Sequence, residues 1–209
     1  MFPHPQVRLS LAAGLALVLG SSLASGQTFD PPVNIAAGVS GATYAAVADF
    51  NADGLLDVAS IANSGNQLYM CLQQPGEVFA PKTVIDSFID GPWILRSGDI
   101  DGDGDPDLAV ATYDSGKILT YQNKGNGNFG PANEIFGSAS GAGGLILDDI
   151  DGDGDRDGIF TAYNANLLVV LRNFGGGFFT PAENIAHGGS GAWALGAADV
   201  DADGDNDIL

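Results

Sequence analysis

One spacing governs this sequence: residues of the same kind return every 50 positions. Asp49, Asp99, Asp149 and Asp199 open near-identical segments at that interval. Phe29, Phe79, Phe129 and Phe179 keep the same interval, each followed two residues later by Pro31, Pro81, Pro131 and Pro181. Gly41, Gly91, Gly141 and Gly191 repeat it once more. Three independent markers share one register without an insertion, so the chain is built from copies of one supersecondary unit.

Within a copy, the pattern predicts four short strands and no helix. In the third copy, residues 144–147 are apolar and lead into an Asp-rich loop at 149–157. Strands are expected over 159–163 and 167–172, separated by a turn at 164–166, and a second turn falls on Gly175, Gly176 and Gly177. Residues 178–185 are expected to close the unit as an outer strand, the only place where Pro181 is tolerable inside a sheet. A four-stranded all-β unit of this length is one blade of a β-propeller. A β-solenoid would turn over every 20–30 residues, and separate 50-residue sandwich domains would bury too little core to stand alone.

The expected organisation is a partial β-propeller over residues 27–209. A lone outer strand spans 27–37, blades span 38–87, 88–137 and 138–187, and a truncated blade spans 188–209. These parts fall short of the roughly 4–8 blades of a typical ring, so the sequence reads as a fragment continued by further blades. Residues 1–26 read as an export signal: Arg8 precedes an apolar run over 9–24, and Ala24-Ser25-Gly26 supplies small residues for cleavage before Gln27. That run is shorter than the about 20 apolar residues a membrane span needs. The mature protein is therefore expected outside the cytoplasm, secreted or at the cell surface. Cys71, the only cysteine, lies in an apolar run and reads as a packed strand thiol. With no disulfide available, something other than cross-links must stabilise an exported fold.

The formal net charge of −19 comes from 26 acids against seven Lys and Arg. Such an excess repels nucleic acid and anionic lipid and favours cations or basic partners. The acids are concentrated in four nine-residue loops of the form D-x-[DN]-x-D-G-x-x-D, which hold 18 of the 26. Positions 1, 3, 5, 7 and 9 are Asp49, Asn51, Asp53, Leu55 and Asp57 in the first loop. They are Asp99, Asp101, Asp103, Asp105 and Asp107 in the second, and Asp149, Asp151, Asp153, Asp155 and Asp157 in the third. In the fourth they are Asp199, Asp201, Asp203, Asp205 and Asp207. Carboxylates this close repel by about 1 kcal/mol per pair at 4 Å even in bulk water, and a hard cation removes that cost.

These twenty positions are the candidate metal ligands, one Ca²⁺ per loop and up to four in the chain. Side chains at 1, 3 and 5 and the carbonyl at 7 are expected to ring the ion, the glycine at 6 permits the sharp turn, and position 9 closes the shell. All-oxygen donors on a flexible loop suit Ca²⁺ better than Mg²⁺, and there is no His or Cys cluster for zinc. The loop matches the first nine places of an EF-hand, but the twelfth place holds Ser60, Val110 and Phe160, and a strand is expected to follow.

With these loops, the Phe-x-Pro step and the 50-residue period, the chain resembles the FG-GAP/VCBS-like repeats of integrin-alpha N-terminal propellers over residues 27–209. Phe129-Gly130-Pro131 comes closest to the family's name motif. The resemblance implies that each calcium loop joins the first and second strands of a blade. Asn51 and Ala52 make the first loop less acidic than that pattern, and Gly158 stands where an apolar residue follows the last ligand. Residues 125–130 fit G-x-G-x-x-G, but Pro131 follows at once and no helix opens, which argues against dinucleotide binding. His187 lacks an evident catalytic partner. Trp93 and Trp193 share one repeat position and are expected to pack between blades, with sugar stacking as the alternative. No nucleophile–base pair or cofactor motif is visible. The expected role is a non-enzymatic adhesion or interaction scaffold with a protein or carbohydrate ligand; a polysaccharide-active lyase or hydrolase, or a lectin, is the alternative.

Overall fold

The computed structural model describes residues 9–11, 15–17, 34–137, 140–187, 191, 193–202 and 206–209. Among them there is no helix, and three antiparallel four-stranded sheets follow one another along the chain. The first sheet contains Ala42–Ala48, Asp57–Ala62, Gln67–Cys71 and Thr83–Asp86, and the second Pro92–Gly98, Asp107–Thr112, Lys117–Tyr121 and Asn133–Gly137. The third contains Ala142–Asp148, Asp157–Ala162, Leu167–Leu171 and Glu183–His187. Each is an up-and-down meander, and the first strands of successive sheets lie against one another. The fold is of the β-propeller type, with the ring not closed among the described residues. Ala197–Ala198 and Asp207–Ile208 pair as a further two-stranded piece.

Burial explains the order of strands. The second strand of each four-stranded sheet is buried at all six of its positions. Its sequence accordingly runs apolar and small (Val58, Ala59, Ile61; Leu108, Ala109, Val110) rather than alternating. Two clusters join neighbouring blades: Phe50, Ile61, Leu95 and Leu108 lie in one, and Ile100, Ile118, Leu145 and Phe160 in the other. Phe50 meets Phe129 edge-on at 5.8 Å across the first junction. Cys71 is buried as expected, and burial pushes its thiol up.

The outer strand departs from expectation. It runs over Glu183–His187, not 178–185, and Pro181 precedes it. Phe179 turns back to pair with Asn173, while the Thr180 amide donates to the Arg172 carbonyl at 2.8 Å. Proline has no N–H for the ladder, so the sheet begins two residues after Pro81, Pro131 and Pro181 alike. Residues 172–180 and their counterparts thus form a separate hairpin between the third and fourth strands. The expected lone strand lies outside the described residues except for its end, where Ile35 packs on Val58 and Ala36 on Tyr69. The segment read as an export signal is described only as the paired strands Leu9–Leu11 and Leu15–Leu17. No helix among the described residues is long and apolar enough to cross a membrane.

Candidate metal loops

Each complete Asp loop joins the first strand of a blade to the second, where the resemblance puts it. The glycine at position 6 has φ of +86°, +92° and +98° at Gly54, Gly104 and Gly154. A Cβ there would meet nothing within 4 Å, so backbone conformation alone selects glycine.

The carboxylates at position 1 organise the turn. Asp99 accepts the amides of Gly102 at 2.8 Å and Gly104 at 3.0 Å, one on each oxygen. Asp149 does the same with Gly152 and Gly154 at 2.8 and 2.9 Å. At position 5, one oxygen of Asp53, Asp103 and Asp153 accepts the amide of position 7, at 2.9 Å in each of these three loops.

Position 9 does something that the sequence did not reveal. Asp57, Asp107 and Asp157 are buried and hold two distant backbone segments together. Asp107 accepts the Ile100 amide at 2.9 Å on one oxygen and the Asn123 amide at 2.7 Å on the other. Asp57 joins Phe50 to Gln73, and Asp157 joins Ile150 to Asn173, in the same way. Val200 donates to Asp207 at 3.0 Å in the fourth loop. Two effects oppose each other at Asp107: the amide donors favour its charged form, while burial disfavours it. Burial prevails and pushes the carboxyl up to about 6. Asp57 and Asp157 shift upward for the same leading reason.

Positions 1, 3 and 9 converge. In Asp99, Asp101 and Asp107, one carboxylate oxygen from each residue lies within 4.8 Å of the other two. The same holds for Asp149, Asp151 and Asp157, and for Asp199, Asp201 and Asp207. Three hard oxygen donors at this spacing fit a divalent cation of the Ca²⁺ class. Asp103 and Asp153 stand outside these triads, and Asp203 and Asp205 lie outside the described residues. The position-7 side chains turn aside, Asp105 toward Gly125 and Asp155 toward Gly175. That leaves the carbonyl as the group position 7 can offer.

The loops are not equivalent. In the first, the Asn51 amide nitrogen donates to Asp53 at 2.9 Å, so an internal hydrogen bond replaces one carboxylate repulsion. In the third, the Arg172 guanidinium lies 2.7 Å from Asp151. The corresponding residues in the other blades are Leu72 and Gln122.

A second feature missed from sequence locks the loops to the next blade. Buried Asn123 donates its side-chain amide to the Phe50 carbonyl at 2.8 Å and to that of Pro106 at 3.2 Å. Asn173 repeats this with Ile100 at 2.7 Å and Arg156 at 3.1 Å. Each asparagine thus joins the Asp loop of its own blade to that of the blade before.

The repeat itself decides the identity. Three overlapping matches to the FG-GAP-like repeat cover residues 49–110, 99–160 and 149–209. This chain belongs to the FG-GAP-like repeat family. No curated protein sequence matches it. Among solved structures, the fold is similar to that of an Agrocybe aegerita lectin that recognises non-reducing terminal N-acetylglucosamine. The two share 23% identity at a TM-score of 0.60, over 81% of this chain and 47% of the lectin. The pore form of a Photorhabdus luminescens Tc toxin matches at 21% identity and a TM-score of 0.49, over 78% of this chain and 8% of that one. The FG-GAP chain therefore spans less than half the length of either.

At the opposite ends of the strands, aromatic rings gather. Trp193 lies 5.1 Å from Tyr163, 5.9 Å from Trp93 and 6.0 Å from Tyr113, measured between ring centroids. Trp93 is the extra residue of a β-bulge between Pro92 and Ile94, which re-aims its side chain. The two tryptophans therefore pack between repeats, with tyrosines that recur 50 residues apart as partners. His187 ends the outer strand of the third blade, paired with Leu167. Residues 125–130 form a hairpin turn, with no helix after it.

Proposed function

We propose that this FG-GAP repeat chain is part of an extracytoplasmic, calcium-stiffened propeller that serves as a non-enzymatic interaction scaffold. The observation that carries the reading is the repeated convergence of the carboxylates at positions 1, 3 and 9 in the second, third and fourth loops. An ion bound there would be held by these three, by the carboxylate at 5 and by the carbonyl at 7. It would add charge compensation to the loop, most of all at Asp107, whose burial already disfavours its charge. Because position 9 and the buried asparagines tie each loop to its own hairpin and to the neighbouring blade, an ion in the loop would rigidify a junction as well as a turn. The segment over residues 1–26 supports export, and the partner is a protein or a carbohydrate. The fungal lectin's specificity supports the second class.

Thermal unfolding with and without chelator tests the calcium reading. A ligand that binds only the folded state adds about 2.7 kcal/mol per site at 100 times Kd, and extracellular calcium modules have Kd of about 10⁻⁴–10⁻³ M. The melting temperature should fall in chelator and recover with Ca²⁺ more than with Mg²⁺. Identical melts in chelator and in millimolar Ca²⁺ would remove the metal from the proposal.

A further inference from the structure

Between the second and third blades lies a cleft of about 560 Å³, within the range of small-molecule sites. Gln122, Lys124, Asn133 and Glu134 line it from the second blade, and Phe178 and Phe179 from the hairpin of the third. The repeat register separates the two phenylalanines. Phe179 recurs as Phe79 and Phe129 and packs against the core. Phe178 breaks the repeat: Asn128 and Val78 hold its place elsewhere, and it is 75% exposed. Asn128 uses its side chain to donate to the Gly125 carbonyl at 3.1 Å, closing its own turn. Phe178 gives up that bond and leaves a large apolar ring in water, so the fold of the hairpin does not account for it.

The chemistry of the walls narrows the occupant. In a chain of net charge −19, this cleft is charge-balanced. Lys124 donates to the Gln122 side-chain oxygen at 2.6 Å, and Glu134 is paired with Lys117 at 2.7 Å. The walls carry one cation, Lys124, and one anion, Glu134, so no excess of either sign marks the cleft as an ion site. What remains is an exposed aromatic ring, two neutral side-chain amides and a carboxylate acceptor. That set complements an uncharged ligand with an apolar face on one side and hydroxyls at its edge.

We propose that the cleft between the second and third blades is a binding site for a neutral saccharide, with Phe178 stacking on the sugar ring and Gln122, Asn133 and Glu134 taking its hydroxyls. The assignment deepens the scaffold reading above by naming a ligand class. It also meets the calcium reading at one point. Gly177, at the tip of the hairpin, sits against Ile100, Asp101 and the Gln122 side chain, and Asn173 binds the Ile100 carbonyl. The second Asp loop therefore positions one wall of the cleft.

Saturation-transfer-difference NMR on the full chain in Ca²⁺ tests the site, with cellotriose, mannotriose and triacetylchitotriose as neutral probes and sialyllactose as an anionic one. At least one neutral probe should receive saturation. Phe178→Asn, which restores the residue and turn bond of the second blade, should weaken its binding at least tenfold while melting no lower than the parent. Phe174→Lys, likewise a change to the second-blade residue on the same hairpin but outside the cleft, should bind as the parent does. Transfer to none of the neutral probes, unchanged binding by Phe178→Asn, or equal loss in both variants would overturn the site. Neutral-probe binding that survives chelation would uphold the cleft and count against the calcium reading alone.

Discussion

Replacing Arg172 by Gln, the residue at the same place in the second blade, should strengthen calcium binding at the third loop. The guanidinium lies 2.7 Å from an oxygen of Asp151, and both side chains are about one-third exposed, at 34% and 33%. A Ca²⁺ ion sits about 2.3–2.6 Å from its ligand oxygens, so an unmoved guanidinium would stand roughly 5 Å from it. Two like charges of +1 and +2 at that separation repel by about 1.7 kcal/mol even at the dielectric of water. If the arginine swings away instead, the cost is the lost surface pair, about 0.2–1 kcal/mol, plus residual repulsion within a Debye length of about 8–10 Å. Either route costs the parent about 1–2 kcal/mol, so Arg172→Gln should tighten one site by about 5- to 30-fold. Isothermal calorimetry of both proteins reads this, with Lys117→Gln as a control that removes an equal charge from a pair with Glu134. If Arg172→Gln titrates like the parent, or if Lys117→Gln gains as much, local competition at Asp151 is the wrong explanation.

Three further tests probe the loops and their connections. Asp103→Asn should reduce calcium affinity at the second loop steeply, whereas Asp105→Asn, with equal charge change but a side chain turned toward Gly125, should cost little; equal losses in a calcium titration would mean diffuse attraction rather than coordination. Ala52 holds φ +58° where Gly102 and Gly152 stand in the second and third loops; relief of the roughly 1–2 kcal/mol left-handed cost, less about 0.4–1 kcal/mol of added unfolded-chain entropy, should make Ala52→Gly more stable by about 0.5–1 kcal/mol in urea unfolding. Asn173→Ala removes a buried donor from the Ile100 and Arg156 carbonyls and should destabilise by about 1–3 kcal/mol, whereas exposed Asn164→Ala should change little in the same assay.

The period of 50 made the blade legible because the three complete copies follow the same local rules: a left-handed glycine at loop position 6, a buried second strand, a proline before the outer one. The outer strand is expected over residues 178–185 but starts at Glu183, because a short apolar run bounded by turn residues reads the same whether it joins the sheet or folds back on Asn173. Only hydrogen-bond partners distinguish the two. The role of Asp57, Asp107 and Asp157 was half visible: spacing marked them as ligands, but nothing in a loop motif says that the same carboxylate reaches an amide 16 residues on. Asn123 and Asn173 recur in register, yet Gln73 in the first copy hid the pattern. The Arg172–Asp151 pair was invisible for a related reason, since it joins a strand end to a loop 21 residues earlier.

The asparagine bridges have a consequence for how such a chain can change length over generations. Asn123 reaches Phe50 and Asn173 reaches Ile100, in both cases a carbonyl 73 residues upstream. If a gene lost the 50 codons of the second period, Asn173 would arrive opposite Phe50 with the spacing Asn123 has now. A duplicated period would likewise meet a ready counterpart on either side. Unequal recombination between copies would therefore insert or delete whole blades without requiring a new junction to be invented, and selection would act on ring size while each joint stays as it was.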